Sequence, residues 1–233
     1  IHFGILYATI TGRRNNIFRS EVVRAYVGMM LIATFVIAIS LFSEDIYPTF
    51  GESMRHASFQ VVSLTTTSGF ATADTNLWTP LAIIFLVFCS IVCGCAGSTS
   101  GGMKVDRLLL ASKVIRNRIY LQQHPNAVIS TKTDGLVQGD NVLNLVMTFI
   151  VAYLLLALIG ATVYAMFGCD LMTSFTASIA CISNVGPGFG EIGSMDNYSQ
   201  LPAILRLNST LLMLIGRLEI FGFIQLFFLR SWR

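Results

Sequence analysis

The sequence has few charged residues and few histidines for its length. Only 12% of its 233 residues are Asp, Glu, Lys or Arg, whereas roughly a quarter is usual in a soluble domain. With a mean hydropathy of +0.70, this shortage of charge excludes an ordinary soluble domain. The 5 cysteines are odd in number and have no recurring spacing, which argues against a disulfide framework. Since no His–acid set or pair of acids lies within an apolar run, the chain also lacks the usual groups of a membrane enzyme.

Long apolar runs account for the hydropathy. Four of them are close to or above the roughly 18 to 20 residues that cross a bilayer core: Ala25–Phe42, Leu81–Ala96, Val142–Phe167 and Ala203–Leu229. Leu81–Ala96 is slightly short and leads into glycines. Two further apolar segments, about Ala57–Leu64 and Leu171–Ile182, are too short to cross and are predicted to be re-entrant half-helices. The predicted class is an all-α integral membrane protein.

A polar loop follows each half-helix, Thr65–Phe70 after the first and Ser183–Phe189 after the second. Non-helical backbone at membrane depth survives only where it is buried in protein or lines a watery cavity. Both half-helices open with Ser-Phe, at Ser58 and Ser174. Counted from these serines, the loops align with one extra residue in the second copy, which predicts Gly186 rather than Gly188 as the partner of Gly69.

The order of span, half-helix, polar loop and span therefore occurs twice, as in pores of the potassium-channel kind. We divide the chain into a cytoplasmic lead-in (1–24), a pore repeat with a broken second span (25–118), a cytoplasmic linker (119–140) and a second pore repeat (141–233).

Basic residues predict the orientation. They cluster before the first span, between the second and third, and after the last: Arg13, Arg14, Arg19, Arg24, Lys104, Arg107, Lys113, Arg116, Arg118, Lys132, Arg230 and Arg233. By the positive-inside rule, both ends of the chain and the central linker are cytoplasmic, and the polar loops open outward.

Three segments resemble the pore-forming subunit of the TrkH/TrkG/KtrB potassium-uptake superfamily: Thr65–Phe70, Gly94–Lys104 and Asn184–Gly190. The Gly-Ser-Thr-Ser-Gly-Gly and Asn-Val-Gly-Pro-Gly stretches favour the TrkH branch. Members carry four repeats in one chain, and these two resemble the third and fourth. The resemblance therefore implies the C-terminal half of a longer polypeptide, with the N-terminal half as its partner.

Potassium selectivity requires oxygens that replace the ion's hydration shell, commonly backbone carbonyls. Two walls of such a filter are expected from Thr66, Thr67, Ser68 and Gly69 and from Asn184, Val185 and Gly186. The half-helices would direct their partially negative C-terminal ends at the cation. Two walls cannot enclose an ion, so the other half of the protein must supply the rest. The implied transported ion is K⁺, with no organic cofactor.

A gate is predicted beneath the filter. Gly94, Gly97, Ser98, Thr99, Ser100, Gly101 and Gly102 make an uninterrupted helix unfavourable, and this break in the span resembles the family's intramembrane gating loop. The same stretch has phosphate-loop spacing, but Met103 replaces the required lysine and no strand precedes it.

Arg217 lies within the last apolar run, where a charge is costly and a functional candidate. We expect Arg217 to face the cavity and bond the gating loop. The alternative is a structural ion pair with another helix, a role that suits Glu219 better.

The predicted function is potassium translocation through a gated filter in the inner (plasma) membrane. The alternative is a secondary carrier whose broken helices bind a small solute at the midplane. The resemblance implies a homodimer, surrounding lipid and a cytoplasmic nucleotide-binding regulator of the TrkA/KtrA kind, and no nucleic-acid partner.

Overall fold

The structure, a computed structural model, describes residues 3–11, 20–127 and 129–227. Within these ranges the chain forms nine α-helices and one short β-hairpin. The helices are α1 (Phe3–Ile10), α2 (Glu21–Ser43), α3 (Phe50–Thr65), α4 (Pro80–Val92), α5 (Val105–Gln123), α6 (Asp140–Met166), α7 (Leu171–Ile182), α8 (Ala203–Arg217) and α9 (Phe221–Phe227). Among the basic residues used to predict the orientation, Arg13, Arg14, Arg19, Arg230 and Arg233 lie outside the described residues.

Two units with the same element order pack against each other. In the first, α2 packs on the half-helix α3 and on α4; in the second, α6 packs on the half-helix α7 and on α8. The helices α2 and α6 are long and apolar enough to cross a bilayer, whereas α4 and α7 are shorter apolar helices. The units meet where α4 contacts α7, and Val185 and Phe189 of the second unit join the buried core of the first.

The half-helices begin at polar caps. The Asp170 side chain accepts a hydrogen bond from the Thr173 N–H at 3.1 Å, and α7 has the predicted bounds, Leu171–Ile182. The prediction of Ala57–Leu64 for the first half-helix was too short, since α3 begins at Phe50. Its N-terminus is marked by Thr49, whose hydroxyl accepts from the Glu52 N–H. Thr-x-x-Glu is a helix-start pattern that predicts this boundary.

The last span is broken, which corrects the prediction of one run over Ala203–Leu229. α8 ends at Arg217, and α9 begins at Phe221. Between them Glu219 and Ile220 have φ of 54° and 47°, a conformation that costs energy for any residue with a side chain and most for a β-branched one. Two contacts offset that cost. Ile220 is buried with Phe149 and Tyr153 of α6, and Glu219 reaches cations at the start of α5.

The linker contains a hairpin that the sequence analysis did not predict. Two two-residue strands, β1 (Lys132–Thr133) and β2 (Leu136–Val137), pair antiparallel around Asp134 and Gly135, whose φ values are both positive. Asp-Gly between strands is the strongest short hairpin signal. The Asp134 carboxylate then accepts from the Ser20 hydroxyl and the Glu21 N–H, so the turn caps α2. The division at residues 118/119 falls inside α5, which runs on to Gln123.

Candidate ion filter and gate

The two polar loops leave their half-helices through the same backbone geometry. After α3, the Thr67 N–H donates to Leu64 O and the Ser68 N–H to Ser63 O; after α7, Asn184 donates to Cys181 O and Val185 to Ala180 O. This is the paired hydrogen bonding of a Schellman helix end. Thr67 and Asn184 both occupy its left-handed position, with φ of 56° and 55°. Ser68 therefore corresponds to Val185, and Gly69 to Gly186.

This equivalence gives the same glycine pair that the sequence predicted. It also shows that Ser58 and Ser174, from which the residues were counted, are not equivalent positions. Gly69 and Gly186 stand the same number of residues beyond the ends of α3 and α7, and both have positive φ. Ser58 and Ser174 stand at different distances from those ends, so the extra residue lies within the half-helices. Ser58 is also well inside α3, since that helix begins at Phe50.

Thr67 is the strained member of the pair. Asparagine tolerates the left-handed region, because its short polar side chain bonds locally, whereas a β-branched residue there is an outlier. Strain of this kind persists only where the surroundings over-determine it, and it concentrates at functional sites. Thr67 thus marks the first loop as a segment held in one conformation.

The two loops lie directly against each other. A Cβ added to Gly69 would overlap the Val185 carbonyl oxygen and would lie 3.4 Å from Pro187 Cδ. Thr66 and Ser68 are exposed, Thr67, Gly69, Asn184 and Gly186 are half-buried, and Val185 is buried. The structure therefore brings the seven predicted filter residues together in two adjacent loop segments, 66–69 and 184–186, which we call the predicted filter strands although they are not part of a β-sheet.

Outer loops tie these strands together. Asn76 of the first unit donates through Nδ2 to Gly190 O and accepts from the Gly190 N–H through Oδ1, both at 2.9 Å. Beside this clamp, Ser194 Oγ accepts from the Thr75 N–H and donates to Ala73 O. In the second unit, the Tyr198 hydroxyl donates to Gly186 O at 2.9 Å. Sequence reasoning missed Asn76 and Tyr198, because each acts through contacts distant in sequence and neither belongs to a local motif.

The segment that contains the predicted gate, residues 93–104, forms a loop that folds back on the end of α4. The N–H groups of Met103, Lys104 and Val105 donate to the carbonyls of Ile91, Val92 and Gly94, at 2.8 to 2.9 Å. The last carbonyls of a helix have no partner within it, so the bonds to Ile91 and Val92 satisfy two of them, and the bond to Gly94 closes the loop. The predicted break in the span is thus a compact loop rather than loose chain.

Small residues let this loop approach the second unit closely. A Cβ on Gly101 would overlap the Ser183 carbonyl oxygen at the end of α7. Within the loop, Ser98 Oγ lies 2.8 Å from Ser100 Oγ, and a Cβ on Gly94 would overlap that same Ser100 hydroxyl. The predicted gating loop therefore touches the helix end at which the second predicted filter segment begins.

Arg217 bonds this loop, as predicted. Its Nη1 donates to Thr99 O at 2.8 Å. Glu219 instead pairs with Lys104 and with Arg107, the latter at 2.7 Å, and the Arg107 guanidinium lies 3.8 Å above the Phe149 ring. A cavity of about 200 Å³ remains between the loop and the α8–α9 break. It is lined by Ser98, Thr99, Ser100, Gly101, Gly102, Lys104, Gly216, Arg217 and Glu219.

Comparison with known proteins places this arrangement in a family. A family model described as TrkH, cation transport protein, matches residues 23–231. The chain belongs to the TrkH family. It is 37% identical over 208 residues to the Trk system potassium uptake protein TrkH of Halomonas elongata, a match that covers 88% of this chain and 42% of that protein. It is 32% identical over 234 residues to TrkH of Salmonella typhimurium, covering 100% of this chain and 48% of the relative.

A solved TrkH structure has the same fold. The crystal structure of the potassium transporter TrkH from Vibrio parahaemolyticus matches with a TM-score of 0.90 at 29% identity, over 100% of this chain and 50% of that one. The predicted all-α membrane fold and the resemblance to the TrkH branch are confirmed. This TrkH-family chain spans about half the length of the relatives it matches.

Proposed function

We propose that the chain forms two of the four walls of a potassium-translocating pore, with Thr66, Thr67, Ser68 and Gly69 on one wall and Asn184, Val185 and Gly186 on the next. The observation that carries this proposal is the matched pair of helix ends. Two half-helices stop in the same Schellman geometry and continue as adjacent strands with glycines at equivalent positions. Their C-terminal ends carry partial negative charge, which favours a cation at the loops.

The gate of the proposed pore is the loop 94–102 together with Arg217. The guanidinium lies beside the loop carbonyls and the small cavity beneath the filter strands. In a low-dielectric passage a fixed positive charge opposes the entry of a cation. Opening then requires Arg217 to leave Thr99 O and the loop to leave the end of α7.

The remaining assignments follow from the same proposal. The four segments of the chain (1–24, 25–118, 119–140 and 141–233) are a lead-in, two pore repeats and the linker between them. The protein crosses the inner membrane several times, and both ends of this chain and its linker face the cytoplasm. A nucleotide-binding regulator of the TrkA/KtrA kind docks on the cytoplasmic face. The other two walls come from the N-terminal half of the same polypeptide, and two complete polypeptides form a homodimer.

A carrier and a pore differ in which end of their half-helices faces the transported species. Carriers of small anionic or zwitterionic solutes direct half-helix N-termini at the substrate. Here the loops follow the C-termini of α3 and α7, which favours the pore.

Flux through the complete protein tests the proposal. Purified and reconstituted in liposomes, with and without its regulator, it should carry potassium or rubidium in preference to sodium. No flux of either ion in both conditions would contradict the proposal, and saturable solute uptake with a fixed ion stoichiometry would favour the carrier.

Substitution of Gly69 and Gly186 tests the proposed filter at single residues. Gly69→Ala and Gly186→Ala both place a side chain at positive φ, but only the first also collides with Val185 O. Both should lower the rubidium-to-sodium flux ratio, and Gly69→Ala more strongly. Gly28→Ala, in open space on α2, is the control. A ratio unchanged in both variants would remove these glycines from the filter.

A further inference from the structure

Tyr198 is bonded to the filter strand of the second unit from the outer side. It opens a short 3₁₀ helix, Tyr198–Gln200, in the loop between that strand and α8. Its hydroxyl donates to Gly186 O at 2.9 Å and accepts a weak bond from Cys181 Sγ at 3.7 Å. Burial, followed by the nearby Cys181 thiol, raises the pKa of the Tyr198 hydroxyl far above its usual range. The hydroxyl therefore stays protonated and able to donate.

Gly186 is little restrained by packing. Its φ is +108°, and a Cβ added to it would meet no atom within 4 Å. Glycine has the widest choice of backbone angles, so the backbone angles of Gly186 are set by its chain neighbours and by hydrogen bonds rather than by a side chain of its own. Gly69, by contrast, lies against Val185 O and Pro187. Among the hydrogen bonds of the described residues, the bond from Tyr198 is the one that the Gly186 carbonyl accepts.

We propose that Tyr198 is a positioning residue for ion preference, whose hydroxyl holds the Gly186 carbonyl in one direction beside the passing ion. The inference rests on the proposed function, since it assumes that Gly186 lines the filter. A carbonyl oxygen has two lone pairs, so Gly186 O accepts the hydroxyl on one and faces the ion with the other. Selectivity depends on the number and field of such carbonyls, and a carbonyl that rotates weakens the distinction between potassium and sodium.

Tyr198→Phe removes the hydroxyl and keeps the ring. In the complete protein reconstituted in liposomes, the rubidium-to-sodium flux ratio should fall by about 2- to 10-fold, the range that one ordinary hydrogen bond supplies. Tyr164→Phe is the matched control. Its hydroxyl is also buried near Cys181 but bonds Ser209 Oγ, so its loss should leave the ratio unchanged.

A second variant does not touch the buried hydroxyl. The exposed Asn197 side chain accepts from the Ser199 N–H and caps the 3₁₀ helix that carries Tyr198. Asn197→Ala should loosen this helix and lower the ratio in the same direction by a smaller factor. It provides the measurement if Tyr198→Phe is not recovered in folded form.

The outcomes separate this inference from the function on which it rests. Flux in the unmodified protein with an unchanged ratio in Tyr198→Phe and Asn197→Ala would overturn the role of Tyr198 alone. An equal fall in Tyr164→Phe would also overturn it, because any lost hydroxyl in this cluster would then have the same effect. No flux in the unmodified protein would overturn the proposed function and this inference together.

Discussion

Single residues in unusual conformations mark the parts of this chain where the two units meet. Thr67 and Asn184 stop the two half-helices in the left-handed conformation, and Glu219 and Ile220 interrupt the last span. Arg217, the charge expected to be costly in its apolar run, lies two positions before Glu219 and bonds the loop carbonyl of Thr99.

Removal of the Arg217 guanidinium should open a leak. Arg217→Ala loses both the bond to Thr99 O and the positive charge beside the cavity, so basal rubidium flux should rise on the order of tenfold, since a hydrogen bond to a charged group contributes about 1.5–3 kcal/mol. Arg206→Ala removes an exposed arginine of the same helix and should leave basal flux unchanged. Basal flux that stays at the unmodified level in Arg217→Ala would contradict a gating role.

Sequence reasoning found Arg217 and its loop because a charge and a glycine cluster are out of place in apolar runs. An ion pair suited Glu219 from the sequence, but its partners, Lys104 and Arg107, could not be predicted in this way. Residues two apart on a continuous helix point to different faces, and only the break after α8 shows where Glu219 is directed.

At the scale of elements, apolar length and polarity predicted most helices and missed some of their boundaries. α7 was predicted with its observed bounds, and α2 and α6 differ from prediction by a few residues. Missed were the start of α3, the linker hairpin and the α8–α9 break. The first two have local signals, Thr49-x-x-Glu52 and Asp134-Gly135. The third has none, because the buried contacts of Ile220 and the ion pairs of Glu219 stabilise it.

Close packing between α8 and the end of α7 can be tested at Gly216. A Cβ there would overlap the Ile182 carbonyl oxygen, so Gly216→Ala should push α8 away. Overpacking of this kind costs about 1–3 kcal/mol, which corresponds to a fall of several degrees in the thermal midpoint. Basal flux should rise as well, since Arg217 is the next residue.

Gly28→Ala is the matched change in an open position of α2. Because alanine is the better helix former, its thermal midpoint should not fall. A Gly216→Ala protein as stable and as tightly closed as Gly28→Ala would contradict the packing argument.

At the scale of the whole molecule, three pairs of contacting residues hold the two units together. Asn76 and Gly190 join the loops that follow the proposed filter strands, Gly69 and Val185 touch between those strands, and Arg217 of α8 bonds Thr99 of the 94–102 loop. The sequence predicted the duplication and the bond from Arg217 to the loop, but not the other two contacts, because a repeat pattern does not state which residues of one copy touch the other.

Cysteine labelling tests the proposed orientation. Of the five cysteines, Cys169 is half-buried and the other four are buried. Partial burial and the carboxylates of Glu191 and Asp170 raise the pKa of the Cys169 thiol. Because the thiolate is the reactive form, labelling of intact cells by an impermeant maleimide should be slow near neutral pH and faster as the pH rises.

Cys169→Ser should abolish that signal and leave any labelling elsewhere in the protein unchanged. If Cys169 reacts only after the membrane is permeabilised, the polar loops open to the cytoplasm and the proposed orientation is wrong.

The contacts of α8 with α7 have a consequence for insertions and deletions. Asn184 Nδ2 donates to Met213 O, Gly216 rests on Ile182 O and Arg217 reaches Thr99 O, all within little more than one helical turn. One added residue between 213 and 217 would turn Arg217 by about 100° away from its loop. Homologous sequences that keep these contacts should therefore differ in length in the loops between helices, and not between residues 213 and 217.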